Sequence, residues 1–159
     1  MLSLLQMRCQ AFISAVMGIV VLAGTAMADP TTRFPPEFVG QLQHSKEIYV
    51  ATLRKDGRRS TVVPVWFGIL DDAILFASLP DNHKAKRVKR GSPIFVSVQG
   101  KDGPFIKTKA EIVKDGAVAE RLGQIYSQKY WIAWVGMFRP SRAKIETGKN
   151  VLIRLTPEP

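Results

Sequence analysis

The feature that most constrains this chain is the rhythm of its apolar runs. From residue 48 onward, short β-branched and aromatic runs alternate with tight turn signals, and long helical patterns are few. Ile48–Leu53 (IYVATL) reads as a strand on its Ile, Tyr, Val and Thr content. Lys55-Asp56-Gly57 follows, and Asp-Gly between apolar runs is a strong hairpin signal. Thr61–Ile69 then reads as one second strand, Asp71-Asp72 as a turn, and Ile74–Ser78 as a third strand. Ile94–Val98, Phe105–Val113 and Val151–Leu155 complete the set, with Gly100–Gly103 turning between the first two.

Helical patterns occupy the gaps. Pro35-Pro36 with Phe38 and Leu42 predicts a short helix ending near Ser45. Lys84–Arg90 predicts another, stopped by Gly91 and Pro93. Asp115 is placed to cap a helix over about Gly116–Trp131, with Val118, Leu122, Ile125, Tyr126 and Tyr130 on one face. A loop containing Arg139-Pro140 leads to the last strand. Consecutive hairpins without regular strand–helix alternation argue against a doubly wound sheet. The fold class expected is mainly β (α+β): about six antiparallel strands closed into a small barrel, with two or three flanking helices.

The N-terminus carries a different signal. Met1–Arg8 holds one positive charge, Ala11–Thr25 is apolar, and Ala26-Met27-Ala28 is a small-x-small cleavage site before Asp29-Pro30. This pattern predicts a signal peptide over residues 1–28, cleaved after Ala28, and an exported product, periplasmic or secreted. The apolar run falls short of the about 20 residues that span a bilayer, so an uncleaved membrane anchor is the second reading. Residues 29–47 form a leader and short helix, and 48–159 the barrel domain. Cys9 is the only cysteine, so cleavage removes disulfides, thiolate metal sites and a cysteine nucleophile from the mature chain. His44 and His83 are far apart in sequence, and no metal site is expected. No Ser-His-Asp set or carboxylate pair identifies a catalytic side chain.

The net charge is +10, which favours anionic partners. One stretch, LPDNHKAKRVKR at residues 79–90, concentrates five Lys/Arg. It has three readings. A solvated helix face explains the charges, with Val88 as its core contact. A nucleic-acid patch asks for interleaved aromatics, and Lys84–Arg90 has none. Anion capture at the entry to the helix uses Ser78, Asn82 and Lys84 as hydroxyl, amide and ammonium donors to a phosphate. Here 78–84 form the clamp, and 86–90 are mostly the solvated remainder of the helix.

Thr52–Gly57 (TLRKDG), Pro64–Phe67 (PVWF), Leu75–Ser78 (LFAS) and Asn82–Lys84 (NHK), in this order, resemble the pyridoxamine 5′-phosphate oxidase-like family of FMN-binding split-barrel proteins, which includes relatives using a deazaflavin coenzyme. The match spans roughly Ile48 to Val113. The resemblance implies a split β-barrel whose Pro64-Val65-Trp66 strand lies along the flavin ring. It implies that Ala77 and Ser78 reach the ribityl chain or phosphate, and that Asn82, His83 and Lys84 form the phosphate clamp. It implies a homodimer with the cofactor at the interface. Trp131 or Trp134 would then be the aromatic covering the partner's flavin, though core packing is the commoner fate of a large aromatic.

The chain departs from the family at three places. His83 stands where arginine is common, Val62 where the biosynthetic oxidase has an arginine, and that enzyme's substrate-binding C-terminal segment has no counterpart. These departures point away from pyridoxine phosphate oxidation. The function expected is an FMN- or deazaflavin-dependent oxidoreductase transferring hydride through its cofactor to an unknown small molecule. Two alternatives remain. One is a non-catalytic module holding FMN, deazaflavin, haem or no cofactor. The other is a basic surface protein binding anionic lipid or nucleic acid.

Overall fold

The computed structural model describes residues 33–131 and 139–158. The expected signal peptide and its cleavage site lie outside the described residues, as does Trp134. The described elements run α1 (Pro36–His44), β1 (Glu47–Thr52), β2 (Val63–Trp66), β3 (Gly68–Leu70), β4 (Ala73–Ser78), α2 (His83–Lys89), β5 (Ile94–Ser97), β6 (Ile106–Val113), α3 (Gly116–Lys129), α4 (Arg142–Glu146) and β7 (Val151–Pro157). The seven strands form one sheet in the order β2-β1-β5-β6-β7-β4-β3, and every pairing is antiparallel. The two end strands are joined only through Phe67, so the sheet curls into a nearly closed barrel with one seam. The mainly β split barrel read from the sequence is the fold observed.

Two elements correct the sequence reading. The run Thr61–Ile69 is not one strand. β2 pairs with β1, whereas β3 pairs with β4 at the opposite end of the sheet. The chain changes partner at buried Phe67, whose N–H is taken by the Tyr130 hydroxyl at 3.0 Å. A continuous apolar run hides such a switch, because both halves bury side chains. The loop after Arg139-Pro140 contains α4, capped by Ser141.

Strand alternation divides the apolar residues between two cores. Ile74 and Phe76 join Ile48, Val50, Phe67, Ile94, Val96, Ile153 and Leu155 inside the barrel, which α1 closes with Phe38 and Leu42. Ala73, Leu75 and Leu152 point outward into a second core under α3 and α4, with Ala119, Leu122, Tyr126 and Ile145. β4 is therefore covered on both faces, which explains its unbroken apolar sequence. α3 can lie close because Gly68 has no side chain; a Cβ there would stand 2.6 Å from Leu122 Cδ1.

The turns follow the sequence. Asp71 and Asp72 have φ of 51° and 59° and close the β3–β4 hairpin, with the left-handed geometry that two-residue hairpins prefer. Arg121 grips the Asp71 carboxylate with bonds of 3.0 and 3.1 Å. These carboxylates build a turn and are not an acid–base pair. Asp115 caps α3 by accepting from the N–H groups of Ala117 and Val118. No described helix is long and apolar enough to cross a membrane.

Candidate functional site

The basic segment builds a cleft at one end of the seam. Asn82 caps α2, its side-chain oxygen accepting from Ala85 N–H at 2.9 Å. The same amide donates to the Ser78 hydroxyl at 2.5 Å, tying the end of β4 to the helix. Ala85 and Val88 are buried beneath α2, so the helix sits with Lys84 and Arg87 on one side, three positions apart. Together with Arg54, Ser60, Thr61, Val63, Asn82 and His83 they line a cleft of about 400 Å³.

The cleft is electropositive and partly dry. Lys84 is half-buried, and burial holds its ammonium below the ordinary lysine range. Arg87 is fixed by a 3.0 Å bond from one guanidinium nitrogen to Thr52 Oγ1, a neutral partner. Thr52 is held in turn by Ser60. No carboxylate is among the described lining residues. Several cations elsewhere are paired with acids: Arg121 with Asp71, Arg142 with Glu120, Arg154 with Glu111 and Lys107 with Glu158. Cations with hydroxyl neighbours and no acid are the donor set a phosphate needs, so these residues fit the phosphate of a flavin. α2 is only two turns long, so its side chains supply the field rather than its dipole.

The seam runs from this cleft along β2, one end strand of the sheet. Pro64, which lacks an N–H, is tolerated there for that reason. β4 faces the seam with its last residues, since its pairing to β3 ends at Leu75. Two tyrosines of the α3 segment lace the far end. The Tyr126 hydroxyl donates to the Trp66 carbonyl at 2.6 Å and interacts with the Ala77 backbone. The Tyr130 hydroxyl donates to the Lys46 carbonyl at 2.5 Å and accepts from Phe67 N–H. Burial raises both phenols, Tyr130 to about 12. The Trp66 ring stacks on Tyr130 at 4.4 Å, with 8° between the planes.

The residues expected from sequence thus fall into two groups. Asn82, His83 and Lys84 meet in the cleft. Ser78 lies just behind them, buried and bonded to Asn82. Trp66 and Ala77 meet around Tyr126, and Pro64 and Val65 lie on the strand between. Arg87 departs from the solvated remainder: Lys86, Lys89 and Arg90 are exposed, but Arg87 turns into the cleft. Its spacing from Lys84 was the available signal. Arg54, Ser60 and Thr61 lacked one, since a hairpin loop has no periodicity to orient its side chains. Trp131 is not packed in a core; it is 82% exposed. It borders a hollow with Lys46, Glu47, Trp66, Lys129 and Tyr130. There Lys129 Nζ lies 3.4 Å from the Phe67 ring centroid, and burial lowers the amine to about 8.

Comparison with known proteins agrees with this architecture. The chain resembles solved structures of low identity, which share the fold. One is a FAD-binding protein from Mesorhizobium loti, 17% identical, with 80% of this chain and 92% of the other covered at a TM-score of 0.56. Another is HutZ, the haem storage protein from Vibrio cholerae, 14% identical, with 80% and 92% covered and a TM-score of 0.52. A conserved hypothetical protein from Mycobacterium tuberculosis is 16% identical, with 82% and 85% covered and a TM-score of 0.57. No curated protein matches the chain. The family model for pyridoxamine 5′-phosphate oxidase matches residues 34–159. With the barrel, its seam and the match agreeing over nearly the whole described chain, the protein belongs to the pyridoxamine 5′-phosphate oxidase family.

Proposed function

We propose that this protein is a flavin-dependent oxidoreductase that holds the FMN unit in the Lys84 cleft and along β2. The observation that carries this reading is the cleft: Arg54, Lys84 and Arg87 line it with Ser60 and Thr61, and no carboxylate is among its described lining residues. In this reading the phosphate binds the three cations, and the ring follows Pro64, Val65 and Trp66 towards Ala77. The bound flavin supplies hydride transfer. The chain's own residues position and shield it. Tyr126 and Tyr130 fix the backbone at the seam, Lys84 and Arg87 anchor the anion, and exposed Trp131 and Leu79 are free to meet a partner subunit. The familial resemblance to FAD-binding and haem-binding structures extends the ligand classes to test.

The test is the visible spectrum of the purified protein after FMN is added and the excess removed. A stoichiometric flavin spectrum that bleaches with a reduced nicotinamide donor supports an oxidoreductase. A retained flavin that no donor reduces supports a carrier or sensor. A colourless protein rejects FMN and directs the same assay to the deazaflavin coenzyme and haem.

A further inference from the structure

A hollow of about 380 Å³ lies at the C-terminal end of α3, lined among the described residues by Lys46, Glu47, Trp66, Lys129, Tyr130 and Trp131. Its size suits a molecule of one or two rings. Trp66 and Tyr130 stack into one aromatic wall, and exposed Trp131 adds a third ring. Lys129 ends α3, and its Nζ lies over the face of buried Phe67. Few polar groups surround this amine. Lys46 is exposed, Glu47 accepts from the Tyr49 hydroxyl at 2.8 Å, and the Tyr130 hydroxyl is spent on Lys46 and Phe67. Among the described residues no acid pairs with Lys129. The helix end and the ring face favour the ammonium, but burial outweighs them and lowers it to about 8. At pH 8 its neutral form is on the order of a hundredfold more populated than that of an ordinary lysine.

Lys84 is the comparison. It too is lowered by burial, but Phe, Tyr and Trp are absent from the described lining of its cleft. A lysine desolvated beside apolar walls is the form of this residue that adds to carbonyl compounds. We propose that Lys129 is a covalent capture site for a flat aromatic aldehyde, which stacks among Trp66, Tyr130 and Trp131 while its carbonyl carbon meets the amine. The neutral nitrogen bonds the carbonyl carbon, and the π pair of the C=O bond moves to oxygen. One N–H proton passes to that oxygen, giving a carbinolamine. Its hydroxyl then leaves with the second N–H proton as water, and a C=N imine remains. No oxidant or reductant enters the step, which is independent of the flavin reading.

Treating the intact protein with less than one equivalent of salicylaldehyde, reducing with cyanoborohydride and mapping the labelled peptide by mass tests the proposal. Lys129 is expected to take the label about tenfold ahead of every other lysine and of the chain's α-amine, whose ordinary pKa is close to 8. Propionaldehyde, which has no ring to stack, is expected to show no such preference over the α-amine. Trp131→Ala, at an exposed position, should cut salicylaldehyde labelling severalfold and leave propionaldehyde labelling unchanged. Lys129→Arg keeps the charge and should abolish the adduct. Unchanged melting temperatures check that the variants fold. Labelling that reaches Lys84 or the α-amine first shows that basicity alone directs the reaction, and overturns the site. An equal preference with propionaldehyde overturns the aromatic class. Salicylate binding as tightly as salicylaldehyde, with no trapped adduct, assigns the hollow to an anion and also overturns the proposal.

Discussion

Lys84 separates the clamp from a merely solvated face. Lys84→Ala is expected to weaken FMN binding about tenfold or more, the loss of one charged hydrogen bond. Lys89→Ala, on the exposed side of α2, is expected to leave it within about twofold. Equal small losses in a flavin titration return the segment to a solvated role. The pH dependence has a definite sign. Burial lowers Lys84 in the free protein, and a bound phosphate raises it again, so binding takes up protons. Affinity is therefore fully present below the free-protein value of Lys84 and falls as pH rises through it. Lys129 shows the opposite sign in folding. Its amine is lowered to about 8 in the fold, so the unfolded chain binds more protons between about 8 and the ordinary lysine value of 10.5. Stability should rise through that window, until ionisation of the unfolded tyrosines opposes it near pH 10. The amine is partly in solvent, so the swing stays under about 1 kcal/mol. Lys129→Met is expected to flatten the rise in thermal melts from pH 7 to 9.5.

At the scale of elements, α3 is the clasp of the barrel. Its cap, its apolar face and its length were legible, because Asp115 and the spacing of Leu122, Tyr126 and Tyr130 are periodic signals. The purpose of the two tyrosines was not. Helical spacing places them on the buried face, but their hydroxyls find partners at Trp66, Lys46 and Phe67, roughly sixty or more positions away in the chain. Tyr130→Phe should leave the Phe67 N–H and Lys46 carbonyl short of partners and cost about 1–3 kcal/mol, read as a lower denaturant midpoint with an unchanged slope. Gly68→Ala should cost about 1–3 kcal/mol by forcing α3 off β3. A neutral result in either case would mean that α3 is less tightly clasped than these contacts imply.

For the whole molecule, the charge is sorted rather than spread. Six of the described cations that do not line the cleft pair with acids, while Arg54, Lys55, Lys84, Arg87 and Arg90 are gathered where no carboxylate lines the surface. Association with any phosphorylated ligand should therefore weaken with added salt. Raising salt from 50 to 500 mM should reduce FMN affinity severalfold but leave riboflavin binding unchanged, a contrast that titration at two ionic strengths measures. Salt acting equally on both would deny that the cleft holds the phosphate.

Local content was legible in the order of the residues. Turn residues, strand composition and the Asn82 and Asp115 caps act over a few positions, and their signals are written in the same few positions. They were enough for the barrel class and for the Asn82–Lys84 end of the cleft. Tertiary structure alone decided what a one-dimensional pattern cannot carry. It split an unbroken apolar run at Phe67, because each half finds its hydrogen-bond partner at a different end of the sheet. It also turned Arg87 inward beside Arg54, because Thr52, on a strand distant in sequence, supplies the acceptor that holds it there.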